Sequence, residues 1–262
     1  YQYYKNCKNI SEKIIKKNNS ELVISDEDFA SLTIAQEIKI PNILITDVLE
    51  TKFTKGIASF IEKKMNKSMM NIIKNCDVVI IPENGEDVDN IRRIGPIVRE
   101  INLSREELRK KFSFNKKTIL ISVGGTDAGL FLIQKSIESI LKLNLDIEII
   151  LVTGPSITKK FDNVKNLGFV DNLHELIYAS DVVISLAGKS TIDEAKAYGT
   201  PGIFIPIKDH FEQENNSKNE GFTFNDINKL DELILEKLDK KRNKVNTNGA
   251  ELAAEIIRKF TK

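Results

Sequence analysis

The second half of the chain alternates apolar runs with helix-patterned segments, and no other feature constrains the fold as much. Thr118 to Val123, Asp146 to Thr153, Val164 to Val170, Asp181 to Leu186 and Gly202 to Pro206 read as strands. Thr126 to Leu143, Leu173 to Tyr178 and Ser190 to Tyr198 read as helices between them. The strands lack the polar–apolar alternation of a half-exposed sheet. Such strands, separated by helices, predict a parallel sheet covered on both faces. In an open sheet of this kind ligands bind beyond the carboxyl ends of the strands, so the loops there come first in any search for chemistry.

The first half follows the same rhythm less regularly. An amphipathic helix is expected over residues 5–20, a strand at Leu22 to Ile24, a helix at Phe29 to Ile38 stopping before Pro41, and a second strand at Asn42 to Thr46. A long helix over Ile57 to Asn75 and a third strand at Asp77 to Pro82 complete this part. Gly95-Pro96 breaks regular structure, which places a linker near residues 95–102, and Ser104 with Glu107 spells a capping box for the helix that follows. Closing helices are expected at Lys229 to Asp239 and Gly249 to Phe260. The fold class is therefore α/β with two parallel sheets, one in residues 1–96 and one in residues 97–262.

Composition narrows the function classes. At 262 residues the chain can bury a sizeable core, and its net charge of +1 speaks against a surface coated for nucleic acid. Cys7 and Cys76 stand far apart, without a CxxC or Cys/His spacing, so neither a zinc site nor a disulfide framework is expected and a reducing cytosol fits. No apolar run approaches the roughly 18 residues of a membrane span. In the helix over 57–75, Ile57, Phe60, Ile61, Met65, Met69, Ile72 and Ile73 share one face, with Lys63, Lys67 and Lys74 opposite. A core-facing helix with a solvated back is the simpler reading; contact with an anionic membrane surface is the sharper one.

Two small-residue loops carry the most chemistry. Gly124-Gly125-Thr126-Asp127-Ala128-Gly129 leaves one strand and opens a helix; Ala187-Gly188-Lys189-Ser190-Thr191 does the same in the same sheet. Either alone is an ordinary strand-to-helix connection. Together, two helix starts in one sheet suit the two phosphates of a diphosphate. Ser190 or Thr191 also suits the helix cap, and Lys189 would bring a point charge to a phosphate unless it is simply solvated. Glu194, one turn in, suits the paired hydroxyls of a ribose, or else answers the helix dipole. Asp209-His210-Phe211-Glu212-Gln213 follows the next strand and offers hydrogen-bonding partners for a sugar. His174 reads as a surface or capping residue, and no nucleophile with its base is recognisable.

These loops, with the GFVDNLHELIYASDVVIS run, the Gly199-Thr200-Pro201 turn and the DHFEQENN segment, resemble the nucleotide-sugar half of MurG-like glycosyltransferases of GT-B type. The likeness covers about residues 90–220 and, more weakly, 20–82. It implies two Rossmann-like domains. It further implies that Gly125, Thr126 and Gly188 to Ser190 face a diphosphate, with Ala187 and Thr191 beside them. Phe169 and Val170 would set backbone against uracil, Glu194 would bind ribose, and Glu212 and Gln213, with Asp209 and His210 in the same loop, would bind the donor sugar. The implied reaction moves a sugar, GlcNAc in the UDP-GlcNAc enzymes of that group, from a UDP donor to a polyprenyl-linked acceptor with inversion. It needs neither metal nor cofactor, and it belongs to the cytoplasmic side of the cell membrane. A nucleotide-sugar hydrolase and a donor-binding subunit that relies on a partner are the alternatives. The family's glycine-rich loop with its histidine has no counterpart here, and three strands are fewer than a whole first domain holds, so an incomplete first domain is expected. A second departure is the short stretch Asn216 to Gly221, where relatives complete a longer helix. Asp26 and Glu27 are candidate bases, although an acidic cap explains the Asp26-Glu27-Asp28 turn equally well.

Overall fold

Helix α1 (Gln2–Lys17) leads into β1 (Val23–Asp26), and the chain continues through α2 (Phe29–Glu37), β2 (Asn42–Ile45), α3 (Ala58–Lys74), β3 (Val78–Ile81) and β4 (Ile91–Arg93). This computed structural model describes residues 2–52, 54, 56, 58–124 and 127–261, with the backbone alone at Ala58. The four strands stand in the order β1-β2-β3-β4, all parallel. β4 is one strand more than the pattern predicts, because its Ile-Arg-Arg sequence is short and charged. Asp28 caps α2, accepting from the N–H groups of Ala30 and Ser31 at 3.0 and 3.2 Å. The acidic-cap reading of the 26–28 turn thus holds for Asp28.

The face expected along α3 is divided. Ile73 is buried, with Met69 and Ile72 packed beside it against Leu32, Leu44, Val79 and Ile81, whereas Phe60, Ile61 and Met65 are exposed. Only the carboxyl-terminal half of the helix faces the core. Ile57 lies outside the described residues.

The second sheet is larger. After α4 (Arg105–Phe112) come β5 (Lys117–Ser122), α5 (Leu130–Lys142), β6 (Ile147–Val152), β7 (Lys165–Gly168), α6 (Leu173–Ala179), β8 (Val182–Leu186), α7 (Lys189–Tyr198), β9 (Gly202–Ile205), α8 (Phe211–Asn219) and α9 (Leu230–Asp239). The capping box forms as expected: Ser104 Oγ accepts from the Glu107 N–H at 3.2 Å, and the Glu107 carboxylate accepts from the Ser104 N–H at 2.8 Å. The strand order is β7-β6-β5-β8-β9, parallel throughout. From β5 the chain first builds outward through β6 and β7, then returns to lay β8 and β9 on the other side. The order therefore reverses between β5 and β8, which is where an open α/β sheet opens a crevice. α8 reaches Asn219, so the stretch from Asn216 is helical and continuous with the polar loop before it.

Arg242 closes the amino-terminal ends of β8 and β9. Its guanidinium donates to the carbonyls of Tyr178, Ser180 and Tyr198 and to the Thr200 hydroxyl at 3.0, 2.7, 3.2 and 2.7 Å, and burial draws its pKa down to about 10.

The last helix, α10 (Gly249–Arg258), does not belong with the second sheet. Ala253, Leu252, Ile256 and Ile257 pack on Ile43, Val78, Ile80 and Ile94 of the first. The compact units are residues 1–97 with 247–262, and residues 98–246. This corrects the expected 97–262 domain at its end. The physical reason is that α1, α2 and α3 cover one face of the first sheet, and α10 supplies apolar cover for the other.

Candidate functional site

The crevice of the second unit lies between the ends of β5 and β8. After β5 the chain passes Val123 and Gly124 into a 3-10 turn, Asp127–Gly129, and then α5. Gly125 and Thr126, both expected here, lie outside the described residues. Gly129 is the N-cap of α5 and makes no side-chain cap. It also has to be glycine, since a Cβ there would sit 2.6 Å from Val123 Cβ. After β8, Ala187 is buried and Gly188 is the N-cap of α7, again without a side-chain cap. Ser190, exposed, and Thr191, partly buried, do not cap the helix. Among the described residues, therefore, α5 and α7 start at neighbouring strand ends with a glycine at the N-cap and no side-chain cap from it, an arrangement suited to an anion.

Lys189 is paired within its helix: its ammonium lies 2.5 Å from Asp193 Oδ2, one turn along α7. Asp193 and Glu194 are both buried, at 8% and 5% exposure. Glu194 Oε1 stands 3.5 Å from Arg99 Nε. Burial raises the Glu194 carboxyl above its usual range, while Arg99 pulls the other way. Arg99 also donates to the Asp171 carbonyl at 3.3 Å and lies 3.4 Å from His174 Nδ1, and its own carbonyl accepts from the Tyr198 hydroxyl at 2.6 Å. Burial, with Arg99 next, lowers the pKa of His174. Arg99 thus ties the loop after β7 to the buried carboxylate of α7. The sequence reading missed Arg99, and nothing local marks it, because its partners lie 72 to 99 positions away.

The loop after β9 folds on its own polar groups. Gln213 Oε1 accepts from the Ile207 N–H at 3.0 Å and Glu214 Oε1 from the Asp209 N–H at 2.9 Å. Asp209 takes a left-handed backbone, φ 63°. His210 caps α8, its Nδ1 accepting from the Gln213 N–H at 3.4 Å, which leaves the ring proton on Nε2. Glu212 is partly buried in the first turn of α8. Asn216 Nδ2 donates to the Ala187 carbonyl at 3.2 Å and so fastens this loop to the start of α7, a second contact that the sequence did not show. At the end of β7, Gly168 has φ +64°, Phe169 is exposed, and Val170 packs on the core. Ala187, Gly188, Glu194 and the 209–213 loop therefore stand on adjoining elements that follow the carboxyl ends of β8 and β9.

Asp26 and Glu27 sit in the first unit, at the carboxyl end of β1. Asp26 is exposed; Glu27 has φ 58° and its carboxylate accepts from Thr46 Oγ1 at 3.2 Å. Burial, then a hydrogen bond with Asp47, raises the Glu27 carboxyl.

Comparison with known proteins agrees with this architecture. An uncharacterized glycosyltransferase of Methanopyrus kandleri is 27% identical over 218 residues, covering 79% of this chain and 62% of that protein. The UDP-N-acetylglucosamine–N-acetylmuramyl-(pentapeptide) pyrophosphoryl-undecaprenol N-acetylglucosamine transferase of Staphylococcus epidermidis is 28% identical over 227 residues, 80% of this chain and 59% of that one. The chain thus spans about three fifths of the length of these curated relatives. Among solved structures, S. aureus MnaA with UDP superposes with a TM-score of 0.61 at 12% identity, over 99% of this chain and 81% of that one. The spinosyn rhamnosyltransferase SpnG with spinosyn aglycone gives 0.60 at 14%, over 99% and 76%. Both likenesses are of fold, two Rossmann-like parallel sheets of GT-B type. Residues 118–262, more than half of the chain, match the glycosyltransferase family 28 C-terminal domain, and the chain belongs to that family.

Proposed function

We propose that the second unit binds the diphosphate of a UDP-sugar at the β5/β8 crevice, and that the protein transfers the sugar, GlcNAc, to a polyprenyl-linked acceptor. One observation carries the reading. α5 and α7 begin without side-chain caps at neighbouring strand ends, and buried Glu194 stands one turn inside α7. N–H groups at helix starts, backed by the helix dipole, bind phosphate, and a carboxylate close by takes the ribose hydroxyls. In this scheme Gly125, Thr126 and Gly188 to Ser190 hold the diphosphate, and the backbone at Phe169 and Val170 meets the uracil. The Gln213 amide nitrogen and His210 Nε2–H, the donors left over from the bonds that fold their loop, reach the sugar together with Asp209 and Glu212.

The reaction is a displacement. The acceptor oxygen bonds to the anomeric carbon as the bond to the β-phosphate oxygen breaks, which inverts that carbon. The acceptor proton passes to a base, for which Glu27, its carboxyl raised, and Asp26 are the candidates. Helix starts at the departing diphosphate supply the charge stabilisation, with no metal or cofactor in the scheme. That the Staphylococcus relative is an N-acetylglucosamine transferase acting from UDP-N-acetylglucosamine on a pyrophosphoryl-undecaprenol lipid supports both the donor and the lipid-linked acceptor. The exposed Phe60, Ile61 and Met65 of α3, beside Lys63, Lys64 and Lys67, suit contact with anionic lipid on the cytoplasmic face of the membrane.

The alternative readings are a nucleotide-sugar hydrolase and a donor-binding subunit that needs a partner. Incubation with labelled UDP-GlcNAc, with and without a polyprenyl diphosphate acceptor, separates these readings. Label on the lipid supports transfer by this chain; free sugar regardless of acceptor identifies a hydrolase; UDP binding without turnover identifies the subunit.

A further inference from the structure

Arg99 joins two places that the proposed donor site uses, the turn after β7 and the buried carboxylate of α7. Its guanidinium meets Glu194, Nε to Oε1, at 3.5 Å. Nη1 donates to the carbonyl of Asp171, in the turn that follows Phe169 and Val170. The main chain is fixed as well, since the Arg99 carbonyl accepts from the Tyr198 hydroxyl at 2.6 Å. Residues 194 and 198 are one turn apart on α7 and share a face, so Arg99 is seated on that helix both by its side chain and by its backbone.

The charges explain why a cation is needed there. α7 carries two consecutive buried acidic residues, Asp193 and Glu194. Asp193 is paired with Lys189 at 2.5 Å; for Glu194, Arg99 is the cationic partner among the described residues. A buried carboxylate that loses its partner takes up a proton rather than stay charged. Burial raises the Glu194 carboxyl, and the charge of Arg99, with a hydrogen bond from its main chain, holds it down. Protonation matters to a ribose. A carboxylate accepts from both vicinal hydroxyls with charge assistance, whereas the neutral acid turns one of its oxygens into a donor.

Given that the second unit binds a UDP-sugar, on which this role rests, we propose that Arg99 is a positioning residue of the nucleoside subsite. It keeps Glu194 ionised for the two hydroxyls of a ribose and fastens the turn at Asp171 beside that carboxylate. The site thereby selects ribonucleotides over 2′-deoxyribonucleotides.

The other titratable groups facing this pair leave a clear window between about pH 7 and 9. Asp193 adjoins Glu194 on α7 and raises its carboxyl. The Tyr198 hydroxyl, raised by burial and by Glu194, stays protonated. His174 of α6, 3.4 Å from Arg99 Nη1, is also faced by Lys111 and Glu175; burial and then Arg99 lower its pKa, so it is neutral throughout.

The test is calorimetric titration of the 262-residue chain with UDP and with 2′-deoxy-UDP across that window. The ratio of the two dissociation constants reads the ribose contact, because titration of the phosphates cancels. For the wild type a ratio of about tenfold in favour of UDP is expected, flat with pH. Arg99→Gln is expected to lower it to about twofold or less at pH 7 and to let it recover as pH rises, since a buried carboxyl without a partner titrates as high as about 8–9. Arg99→Lys, which keeps the charge, is expected to hold most of the ratio at pH 7. The Arg99 side chain is 57% exposed, and melting curves of both variants check that they fold. A ratio in Arg99→Gln equal to the wild type's at pH 7, or lowered equally at every pH, overturns the role of Arg99 while the donor reading stands. Wild-type protein that binds both nucleotides alike takes the ribose away from Glu194 and overturns it too. A chain that binds neither nucleotide sinks the donor reading itself, and the role with it.

Discussion

At Glu194, the proposed role in binding and the contribution to stability pull in opposite directions. Its carboxyl is raised mainly by burial, so the folded state holds the proton more tightly than the unfolded chain does. Stability is then lost as pH rises from the ordinary carboxylate range through the raised value, and the cost is fully present above it. Glu194→Gln is expected to melt at or above the wild-type temperature at pH 7.5, with the difference shrinking as pH falls toward 4, while binding UDP more weakly. Melting curves across pH with and without UDP check both halves. A variant less stable at neutral pH and unchanged in UDP binding would make Glu194 a structural anchor for Arg99 alone. Glu194 was legible in the sequence because its helix start and its spacing are local. Arg99 was not, since a side chain recruited from far along the chain leaves no periodicity. Lys189 is a milder case: the sequence places a lysine in the loop, and the structure adds its i,i+4 pairing with Asp193.

Among elements, the legible ones were those whose burial is uniform. β5, β6 and β8 are apolar runs buried over most of their length and were read within a residue or two. β4 was missed because three residues, two of them arginine, carry no pattern. α3 was read with one face where the structure has two halves, because periodicity reports which residues are apolar and not which have a partner. Its exposed half gives a clean expectation: the protein floats with anionic liposomes, and replacing Lys63 and Lys67 by glutamine reduces the bound fraction severalfold. Indifference to lipid charge and to those substitutions would end the membrane-contact reading. At the amino-terminal ends of β8 and β9, Arg242→Met removes four charge-assisted hydrogen bonds to carbonyls and a hydroxyl that stay buried. We expect a loss of about 2–3 kcal/mol in urea denaturation, with UDP affinity unchanged because the groups lie at the opposite end of the strands.

For the molecule as a whole, the two sheets and the residue where the first gives way to the second were readable from the break at Gly95-Pro96. The return of α10 to the first sheet was not. An amphipathic helix states that it needs an apolar surface, and only the packed structure says which one, here the Ile43, Val78 and Ile80 face. On the proposed reading the donor site is built from residues of the second unit alone, while the first unit carries the raised carboxyl of Glu27. The central claim is that the second unit binds a nucleoside diphosphate, and thermal unfolding with UDP tests it most directly. At a UDP concentration 100 times its dissociation constant, binding adds about 2.7 kcal/mol. For a unit of this size that corresponds to a rise in melting temperature of roughly 5–10 °C, which Glu194→Ala is expected to diminish. A melting curve unmoved by millimolar UDP would contradict the account.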